Sequence, residues 1–361
     1  MKFTDIIVVG GGPAGMSAAL AAADAGVRVT LMDRSKEPGG QLIKQTHRFF
    51  GSERERAGTR GIEIVKELRQ RITEHPLIDF KPDTDVLGVY SDRVISYEEG
   101  DKYDHMTAEK IIISTGAAEK MLLFENNDLP GVYGAGAVQT LMNVYGIQPG
   151  QKVLMIGAGN IGLIVTYQLL QAGVDVVAIV EAAPRIGGYK VHASKVRRMG
   201  VPIYTKTTIK SALGTDHVTG AILCDMDDKF QMIEGTEREI EVDTICLAVG
   251  LAPLSELISQ TGAKMHYIPQ LGGFIPERNE NLETTAPGVY VAGDVSCIEE
   301  ATAAMIEGSI AGLSAAIATG MNRPDLLAKR DEWIEQLANL RSGKTGEKIR
   351  NGLAMMAKEG N

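Results

Sequence analysis

The sequence predicts an α/β fold made of two similar domains, with the second domain inserted into the first. An apolar strand pattern, a glycine-rich loop, a helix and a second strand that ends in an acidic residue occur near the N-terminus. The same series returns in the middle of the chain. The chain has 361 residues, which is enough to bury two hydrophobic cores. The repeat therefore indicates two domains rather than one long sheet.

The composition is that of a globular protein, with 44% hydrophobic residues, 23% charged residues and a net charge of -9. An acidic surface disfavours nonspecific binding to nucleic acid, so we expect no nucleic-acid partner. There is no apolar run of about 20 residues and the first strand begins by residue 5, so we expect no transmembrane segment and no signal peptide. The three cysteines form no Cys-x-x-Cys, which predicts no redox disulfide or metal site and favours a cytoplasmic location.

The first copy of the repeat begins with a β-branched run at residues 5–9, which is typical of a buried parallel strand. A glycine loop and an alanine-rich helix, Met16–Ala25, follow. Gly26 stands where a helix ends, and the next strand, Val27–Met32, leads into Asp33. This order is a βαβ unit.

The second copy has the same order of elements. Lys152–Ile156 is a predicted strand, Leu163–Ala172 is a predicted helix and Gly173 stands at its end. The strand Val174–Val180 then leads into Glu181.

Each loop has the pattern G-x-G-x-x-G between its strand and its helix. The glycines are Gly10, Gly12 and Gly15 in the first loop and Gly157, Gly159 and Gly162 in the second. The first glycine permits a tight turn, the second lets a pyrophosphate approach the backbone, and the third lets helix and strand pack closely. The helix N-terminus offers free N–H groups to the anion. We therefore predict two Rossmann-like dinucleotide-binding domains rather than two ordinary turns without a ligand.

The acidic residue at the end of each second strand is a candidate ligand of a ribose. Asp33 and Glu181 can each accept hydrogen bonds from ribose hydroxyls. Glu181 would also repel a 2′-phosphate, which favours NAD(H) over NADP(H) at the second loop. Arg185 follows four residues later and could instead meet a phosphate.

Two further buried strand patterns end at glycine, and each is expected to close its own domain. Lys110–Thr115 precedes Gly116, and Asp243–Val249 precedes Gly250. A third strand, Gly288–Ala292, leads into Gly293-Asp294 and an apolar helix of about residues 300–319. The expected boundaries are 1–120 and 251–325 for the first domain, 121–250 for the inserted domain, and 326–361 for a helical C-terminal tail.

These motifs resemble the two-dinucleotide flavoprotein superfamily, the group that includes thioredoxin reductase. The matching segments are Val9–Gly15, Gly39–Leu42, Ser114–Ala117, Gly157–Gly162 and Ala292–Asp294. The resemblance covers about residues 5–320 and implies FAD at the first loop and a nicotinamide dinucleotide, NAD, at the second. It also implies that Asp294 bonds the ribityl chain and that the following helix points its N-terminus at the flavin N1 and C2 carbonyl.

The resemblance and the motifs together give two sets of candidate cofactor-binding residues. The FAD set is Gly10, Gly12, Pro13, Ala14, Gly15, Asp33, Arg34, Gly40, Gln41, Thr115, Gly116, Gly293, Asp294, Ala301 and Thr302. The NAD set is Gly157, Gly159, Asn160, Ile161, Gly162, Glu181 and Gly250.

Disulfide reductases of this superfamily carry a Cys-x-x-Cys beside the flavin, and its absence argues against a thioredoxin reductase function. A narrower resemblance is to the α-type subunits of heteromeric dehydrogenases, which include dye-linked L-proline dehydrogenase, opine oxidase, hydrogen cyanide synthase and sarcosine oxidase. The segments that carry it are Gly250–Pro253, Leu271–Phe274, Thr285–Asp294, Glu307-Gly308 and Ala311-Gly312.

This narrower resemblance implies an FAD-dependent oxidoreductase that passes electrons between NAD(H), flavin and a partner. The partner would be an amine-oxidising flavoprotein subunit that handles an amino or imino acid such as proline, hydroxyproline, sarcosine or an opine. Two other functions stay open at this point. One is a stand-alone NADH oxidase or NADH:acceptor reductase, and the other is a nucleotide-binding scaffold without turnover.

Several residues have two interpretations. Lys44 and His47 either tune the flavin or belong to a solvated loop, and no catalytic acid or base is assigned, because hydride transfer depends mainly on stacking and distance. Cys297 is expected to be a packed hydrophobic residue. The tail carries an apolar stripe at helical spacing, which either packs on its own domain or docks a partner protein. The stripe consists of Leu326, Leu327, Trp333, Ile334, Leu337 and Leu340.

Overall fold

The computed structural model describes residues 2–344 and 346–359, which form two compact units. Unit 1 contains the chain up to Ile43, Arg48–Ala118 and the chain from Leu251 onward. Unit 2 contains Lys44–His47 and Glu119–Gly250. The C-terminal tail therefore belongs to unit 1, and the short segment Lys44–His47 belongs to unit 2.

Strands and helices alternate in the two glycine-loop regions of the described chain, and longer runs of strands lie between them. Its strands are β1 (Lys2–Val9), β2 (Val29–Met32), β3 (Ile78–Lys81), β4 (Thr84–Val89), β5 (Val94–Glu99), β6 (Lys102–Ile113), β7 (Ala117–Glu119), β8 (Val132–Gly134), β9 (Lys152–Ile156), β10 (Asp175–Glu181), β11 (Ile203–Thr205), β12 (Thr207–Leu213), β13 (Gly220–Asp225), β14 (Arg238–Ile240), β15 (Thr244–Leu247), β16 (Leu251–Pro253), β17 (Met265–Ile268), β18 (Gly273–Pro276) and β19 (Val289–Val291). Its α-helices are α1 (Pro13–Asp24), α2 (Gly61–Glu74), α3 (Ala135–Asn143), α4 (Asn160–Gln171), α5 (Lys190–Arg198), α6 (Glu256–Gln260), α7 (Ala301–Ala318), α8 (Pro324–Leu340) and α9 (Glu347–Glu359).

The main sheet of unit 1 has the order β3-β2-β1-β6-β5-β4, with β19 also paired to β6. The pairs β2–β3, β1–β2, β1–β6 and β6–β19 are parallel, whereas β4, β5 and the first half of β6 form an antiparallel meander. Strand β3 is therefore a parallel edge strand, and the antiparallel part of the sheet begins with β4.

The strands at the centre of unit 1 are buried on both faces, as their sequences predict. Ile6 and Val8 of β1 pack into one hydrophobic cluster, and Ile7 and Val9 pack into another on the opposite face. Helices α1 and α7 share the first of these clusters.

Unit 2 contains a parallel sheet of order β11-β10-β9-β15-β8 and an antiparallel sheet of order β12-β13-β14. In both units the two strands that flank the glycine loop and its helix are parallel neighbours in the sheet. The predicted α/β class with two Rossmann-like units is thus confirmed.

Helices α1 and α4 begin three residues earlier than the sequence analysis predicted. The predicted starts were Met16 and Leu163, whereas the helices begin at Pro13 and Asn160. The reason is that the second glycine of each loop is the N-cap residue, so the third glycine lies inside the first helical turn.

The tail packs on unit 1, which is one of the two interpretations left open by the sequence. Leu326 and Leu337 of α8 are buried in the cluster that contains α1 and α7, and Trp333 packs against it. Ile349 and Met356 of α9 pack with a separate cluster that includes residues of β17 and β18. The chain itself therefore covers part of the apolar stripe that could have docked a partner.

Among the described helices, α7 alone is long and apolar enough to cross a membrane by length and composition. In the structure, 78% of its apolar window is buried. This degree of burial is also what the core helix of a globular domain shows.

Candidate functional site

The first glycine loop of unit 1 needs glycine at its ends and is open at its centre. Gly10 has φ +101°, and a Cβ there would lie 2.5 Å from the carbonyl oxygen of Ser114. A Cβ at Gly15 would lie 1.8 Å from the carbonyl oxygen of Gly10, so helix and strand touch at this point. At Gly12 the nearest atom to a Cβ is 4.0 Å away. Internal packing therefore does not require glycine at position 12, and the space beside it is open to a ligand.

The second loop, in unit 2, has nearly the same geometry. Gly157 has φ +104°, and a Cβ there would lie 2.4 Å from the carbonyl oxygen of Ala248. A Cβ at Gly162 would lie 2.1 Å from the carbonyl oxygen of Gly157, and Gly159 has no atom within 4 Å. In both loops the space over the central glycine lies at the N-terminus of a helix without a side-chain cap. An anion bound there would accept hydrogen bonds from the free backbone N–H groups of the helix.

The two strand-end acids fix these loops in the same way. Asp33 accepts hydrogen bonds from the backbone N–H groups of Gly11 and Ser35, one on each oxygen. Glu181 accepts from Ala158 at 2.8 Å and from Ala183 at 2.9 Å, again one on each oxygen. Each oxygen has a second lone pair, so a ribose hydroxyl can still be bound. The acids thus have a structural role that the sequence analysis did not predict.

A second glycine pair follows each acid, and of these four glycines only Gly40 was among the predicted cofactor-binding residues. The N–H of Gly39 donates to the carbonyl of Gly11 at 2.7 Å, and a Cβ at Gly40 would lie 2.7 Å from the Cα of Gly12.

In unit 2 the corresponding pair is Gly187-Gly188. The N–H of Gly188 donates to the carbonyl of Ala158 at 2.9 Å, and a Cβ there would lie 2.9 Å from the carbonyl carbon of Gly159. The signal was present in the sequence, because each pair stands six and seven residues after its acid.

The end of β6 and the loop after it border the first glycine loop. The hydroxyl of Ser114 donates to the carbonyls of Val9 and Gly10 at 2.9 Å. Thr115 donates to the carbonyl of Leu254 at 2.8 Å, and Gly116 has φ +76° with open space around it. In unit 2, Gly250 follows the end of β15 and also has a positive φ of +115°.

The Gly293-Asp294 turn also reaches the first loop. A Cβ at Gly293 would lie 2.9 Å from the Cβ of Ala14, and φ of Gly293 is +77°. The following helix α7 packs directly on α1, since a Cβ at Gly308 would lie 2.0 Å from the carbonyl oxygen of Ala14. The structure therefore brings four predicted pieces of unit 1 to one place: the glycine loop, the Gly39-Gly40 pair, the end of β6 and the Gly293-Asp294 turn.

Burial is the main cause of an unusual pKa at Asp294. Together with the nearby carboxylates of Glu307 and Glu299, burial raises the pKa of this carboxyl to about 7. The backbone N–H of Glu299, which donates to Asp294 Oδ1 at 3.4 Å, opposes this shift. Asp294 is therefore suited to exchange hydrogen bonds with hydroxyl groups in either protonation state.

The remaining predicted cofactor residues lie at the edges of these loops. Arg34 and Gln41 are exposed, and Thr302 is buried in the first turn of α7 next to the half-buried Ala301. Asn160 accepts a hydrogen bond from the N–H of Tyr189 at 2.8 Å through its side-chain oxygen. Ile161 is 40% exposed. Their contacts with a cofactor stay predictions.

Lys44 and His47, which had two interpretations, are held within unit 2. Lys44 Nζ donates to the carbonyl of Gly136 at 2.9 Å, and its burial lowers its pKa. Burial also lowers the pKa of His47 to about 4, with smaller contributions from His192 and Lys195. His47 is therefore neutral at neutral pH.

The three cysteines are buried, and Cys297 is packed in the cluster with α9, as expected for a small hydrophobic residue. Burial raises the pKa of the Cys297 thiol well above its usual value, which opposes thiolate formation. Within residues 2–344 and 346–359 there is no group of three or more His, Cys, Asp or Glu side chains placed to hold a metal ion.

One cluster of charged residues was missed by the sequence analysis. Arg278, Glu299, Glu307 and Arg341 lie together behind the Gly293-Asp294 turn, and none of these side chains is more than 12% exposed. The only signal in the sequence was a single glutamate, Glu307, inside the otherwise apolar α7.

The residues of both loops fit dinucleotides. Each central glycine leaves a space that a side chain would occupy, each space lies at an uncapped helix N-terminus, and each has a carboxylate that binds the same loop. This is the donor and acceptor arrangement that a pyrophosphate and a ribose require.

The chain belongs to the pyridine nucleotide-disulphide oxidoreductase family, whose profile matches residues 4–320. It is therefore an oxidoreductase that uses FAD and NAD(P), as the sequence predicted.

Among curated proteins, the chain is similar to the alpha subunit of the sarcosine oxidase of Rhizobium meliloti strain 1021, with 28% identity over 83% of this chain and 30% of that protein. It is also similar to a subunit of the opine oxidase of the same organism, with 26% identity over 91% of this chain and 74% of that protein. The chain thus spans less than a third of the length of the first of these proteins.

Two solved structures have the same fold. The L-proline dehydrogenase of P. horikoshii has a TM-score of 0.73 at 24% identity, over 93% of this chain and 59% of that chain. The thioredoxin reductase of T. acidophilum has a TM-score of 0.73 at 23% identity, over 88% of this chain and 99% of that chain. The predicted resemblance to both groups is thus confirmed.

Proposed function

We propose that unit 1 binds FAD and unit 2 binds NAD(H), so that electrons pass between the nicotinamide and the flavin. The observation that carries this proposal is the open space over Gly12 and over Gly159, each beside a helix N-terminus and a carboxylate. When bound, the flavin supplies the hydride and electron-transfer chemistry. The protein's own residues bind and orient the two cofactors.

In unit 1, the first loop would hold the FAD pyrophosphate on the N–H groups of α1, and Asp33 would bind the adenosine ribose. Gly40 packs against Gly12 and so forms one wall of the space. The Gly293-Asp294 turn would bind the ribityl chain, and the N-terminus of α7 would stabilise negative charge on the reduced flavin.

In unit 2, the second loop would hold the pyrophosphate of NAD(H). Glu181 carries a negative charge beside the loop, and a 2′-phosphate would lie against it. The preference for NAD(H) over NADP(H) follows from this repulsion. Arg185 is exposed and is the competing candidate for a phosphate ligand.

We further propose that the chain is one subunit of a heteromeric amino- or imino-acid dehydrogenase. The chain has no Cys-x-x-Cys, so electrons cannot leave the flavin through a redox disulfide of its own. Two of the relatives are named as subunits of sarcosine and opine oxidases. Electron exchange with a separate amine-oxidising flavoprotein is consistent with both observations.

The test is to assay the purified chain alone with proline, hydroxyproline, sarcosine and opines, using an artificial dye as acceptor. We expect no turnover of these substrates by the isolated chain and turnover after its partner is added. The partner should be identified by co-purification of a second flavoprotein. Robust turnover of any of these amines by the chain alone would contradict its proposed place in a heteromeric enzyme.

A second candidate function is a stand-alone NADH:acceptor reductase. The burial of Leu326 and Leu337 against α1 and α7 favours it, because this part of the tail is then not a docking surface. A chain of this kind would oxidise NADH with the dye at a steady rate and would need no partner. The two functions are therefore separated by comparing dye reduction by NADH with dye reduction by amines, each with and without the partner.

A further inference from the structure

Arg341, a residue of the C-terminal segment, reaches the region next to the Gly293-Asp294 turn. This residue directly follows α8 and belongs to a charge cluster formed by Arg278, Glu299, Glu307 and Arg341. The exposed fractions of these side chains are 5%, 12%, 1% and 9%, respectively. Charges that are this deeply buried must be paired, because burial of a lone ion is very costly.

Glu307 is the centre of the charge cluster and also binds the turn. Its Oε2 accepts from the backbone N–H of Gly293 at 2.9 Å and from the hydroxyl of Ser296 at 3.0 Å. Its Oε1 accepts from Arg278 at 2.9 Å and from Arg341 at 2.6 Å. Although burial raises the pKa of Glu307, the two guanidinium groups outweigh it and hold that pKa below its usual value. Glu307 is therefore a charged acceptor that fixes Gly293 in place.

Arg341 connects both sides of the turn. It donates to Glu307, which holds the Gly293 amide, and it also donates to Glu299 through Nε at 2.9 Å and through a second nitrogen. The backbone N–H of Glu299 in turn donates to Asp294 Oδ1 at 3.4 Å. One guanidinium group thus links the two glutamates that contact the turn, and its planar, rigid set of donors fixes their positions more firmly than the flexible ammonium of a lysine would.

The charge balance around the turn depends on Arg341. Three carboxyl groups, those of Asp294, Glu299 and Glu307, lie near two guanidinium groups, those of Arg278 and Arg341. Without Arg341, Glu299 loses its ion-pair partner and Glu307 keeps only one. The turn would then carry excess negative charge and would lose a fixed position for Glu299.

We propose that Arg341 is a positioning residue for the flavin: it holds the Gly293-Asp294 turn in the conformation that binds the ribityl chain. The C-terminal segment then takes part in cofactor binding without touching the cofactor. This inference rests on the proposed FAD site of unit 1.

The experiment compares three variants of the full chain: Arg341→Met, Arg341→Lys and the control Arg323→Met. Arg323 lies at the other end of α8, where its side chain is 54% exposed and pairs with the exposed Asp325. The FAD dissociation constant is measured by titrating each apoprotein with FAD and following flavin fluorescence. We expect a rise of about tenfold or more for Arg341→Met, the ratio that corresponds to roughly 1.4 kcal/mol, a smaller rise for Arg341→Lys and no change for Arg323→Met.

Two further measurements separate positioning from general loss of packing. The flavin midpoint potential should fall in Arg341→Met, because a positive charge has been removed near the reduced flavin. Adding Glu299→Gln to Arg341→Met removes the unpaired carboxylate and should recover both the potential and part of the FAD affinity. A packing defect would not be repaired by this second change. If Arg341→Met does not fold, the same comparison is made between Arg341→Lys with and without Glu299→Gln.

The inference is overturned if the parent chain binds FAD tightly and Arg341→Met binds it equally well with the same midpoint potential. It is also overturned if the double variant binds FAD no better than Arg341→Met. Failure of the parent chain to take up FAD would instead contradict the proposed function itself. The two failures are therefore distinct.

Discussion

Alanine at Gly12 should mainly weaken FAD binding, whereas alanine at Gly15 should mainly destabilise the fold. At Gly12, the nearest atom to a new Cβ is 4.0 Å away and φ is -72°, so the apoprotein tolerates alanine. The cost is that of a poorer N-cap residue, about 0.5–1 kcal/mol. At Gly15, the Cβ would lie 1.8 Å from the carbonyl oxygen of Gly10 and 2.7 Å from the hydroxyl oxygen of Ser114. Helix α1 and strand β1 must separate, which costs about 3 kcal/mol or more.

The effects on affinity follow from the same geometry. The Cβ of Gly12→Ala occupies the space proposed for the FAD pyrophosphate and moves it away from the N–H groups of α1. Two charge-assisted hydrogen bonds at roughly 1.5 kcal/mol each amount to about 3 kcal/mol. This energy corresponds to a loss of FAD affinity of about 100-fold.

The assay has two parts: thermal unfolding of the apoproteins and titration of each with FAD. Gly12→Ala should unfold within a few degrees of the parent chain and bind FAD about 100-fold more weakly. Gly15→Ala should unfold at a temperature lower by about 6–12 °C or more. The reasoning is refuted if Gly12→Ala binds FAD as tightly as the parent chain, or if Gly15→Ala is as stable as Gly12→Ala.

Three other predictions follow from single features of the structure. Glu181→Gln should lower the ratio of the rates of flavin reduction by NADH and by NADPH about tenfold in stopped-flow experiments. A parent chain that is reduced faster by NADPH would show that Arg185, and not Glu181, determines the choice of nucleotide. The pKa of Asp294 is raised to about 7 in the folded state, so the folded state binds more protons than the unfolded state between about pH 4 and 7. The stability of the apoprotein should therefore fall as pH rises through this range, by at most about 1.4 kcal/mol per pH unit. Asp294→Asn should flatten that dependence in urea unfolding, and an unchanged slope would contradict the assignment. Deletion of residues 324–361 should lower the unfolding temperature and the FAD content together, because it uncovers α1 and α7 and removes Arg341. A stable truncated chain with full FAD content would show that the tail is independent of unit 1.

Local motifs predicted the repeated part of the fold because their signals lie within short segments. The predicted strand Lys152–Ile156 agrees with β9 at both ends. Glycine spacing, helix-stop glycines and β-branched runs are all local properties. They indicated the two βαβ units and the acids at their strand ends.

Contacts between distant segments could not be predicted in the same way. Arg341 and Glu307 are 34 residues apart, and no sequence spacing relates the end of one helix to the side of another. A buried glutamate in an apolar helix indicates that a cation must be near, but not which one. The burial of the tail was left open for the same reason, because an apolar stripe shows that something covers it without identifying the cover.

The internal repeat extends beyond the two strand-end acids. Gly187-Gly188 follows Glu181 at the spacing by which Gly39-Gly40 follows Asp33, and both pairs pack on the central glycine of their loop. This shared spacing is the signal in the sequence that marks Gly187-Gly188 as candidate residues. That each acid accepts a hydrogen bond from its own loop is visible only in the three-dimensional structure.

The central claim is that the chain carries FAD in unit 1 and accepts electrons from NADH bound in unit 2. Anaerobic titration of the purified chain with NADH tests it most directly, with the visible absorbance of the flavin as the signal. We predict a yellow protein whose flavin is bleached stoichiometrically by NADH, more slowly by NADPH, and whose flavin is released on denaturation. A protein that takes up no FAD, or whose bound flavin is reduced by neither nucleotide, would contradict the account.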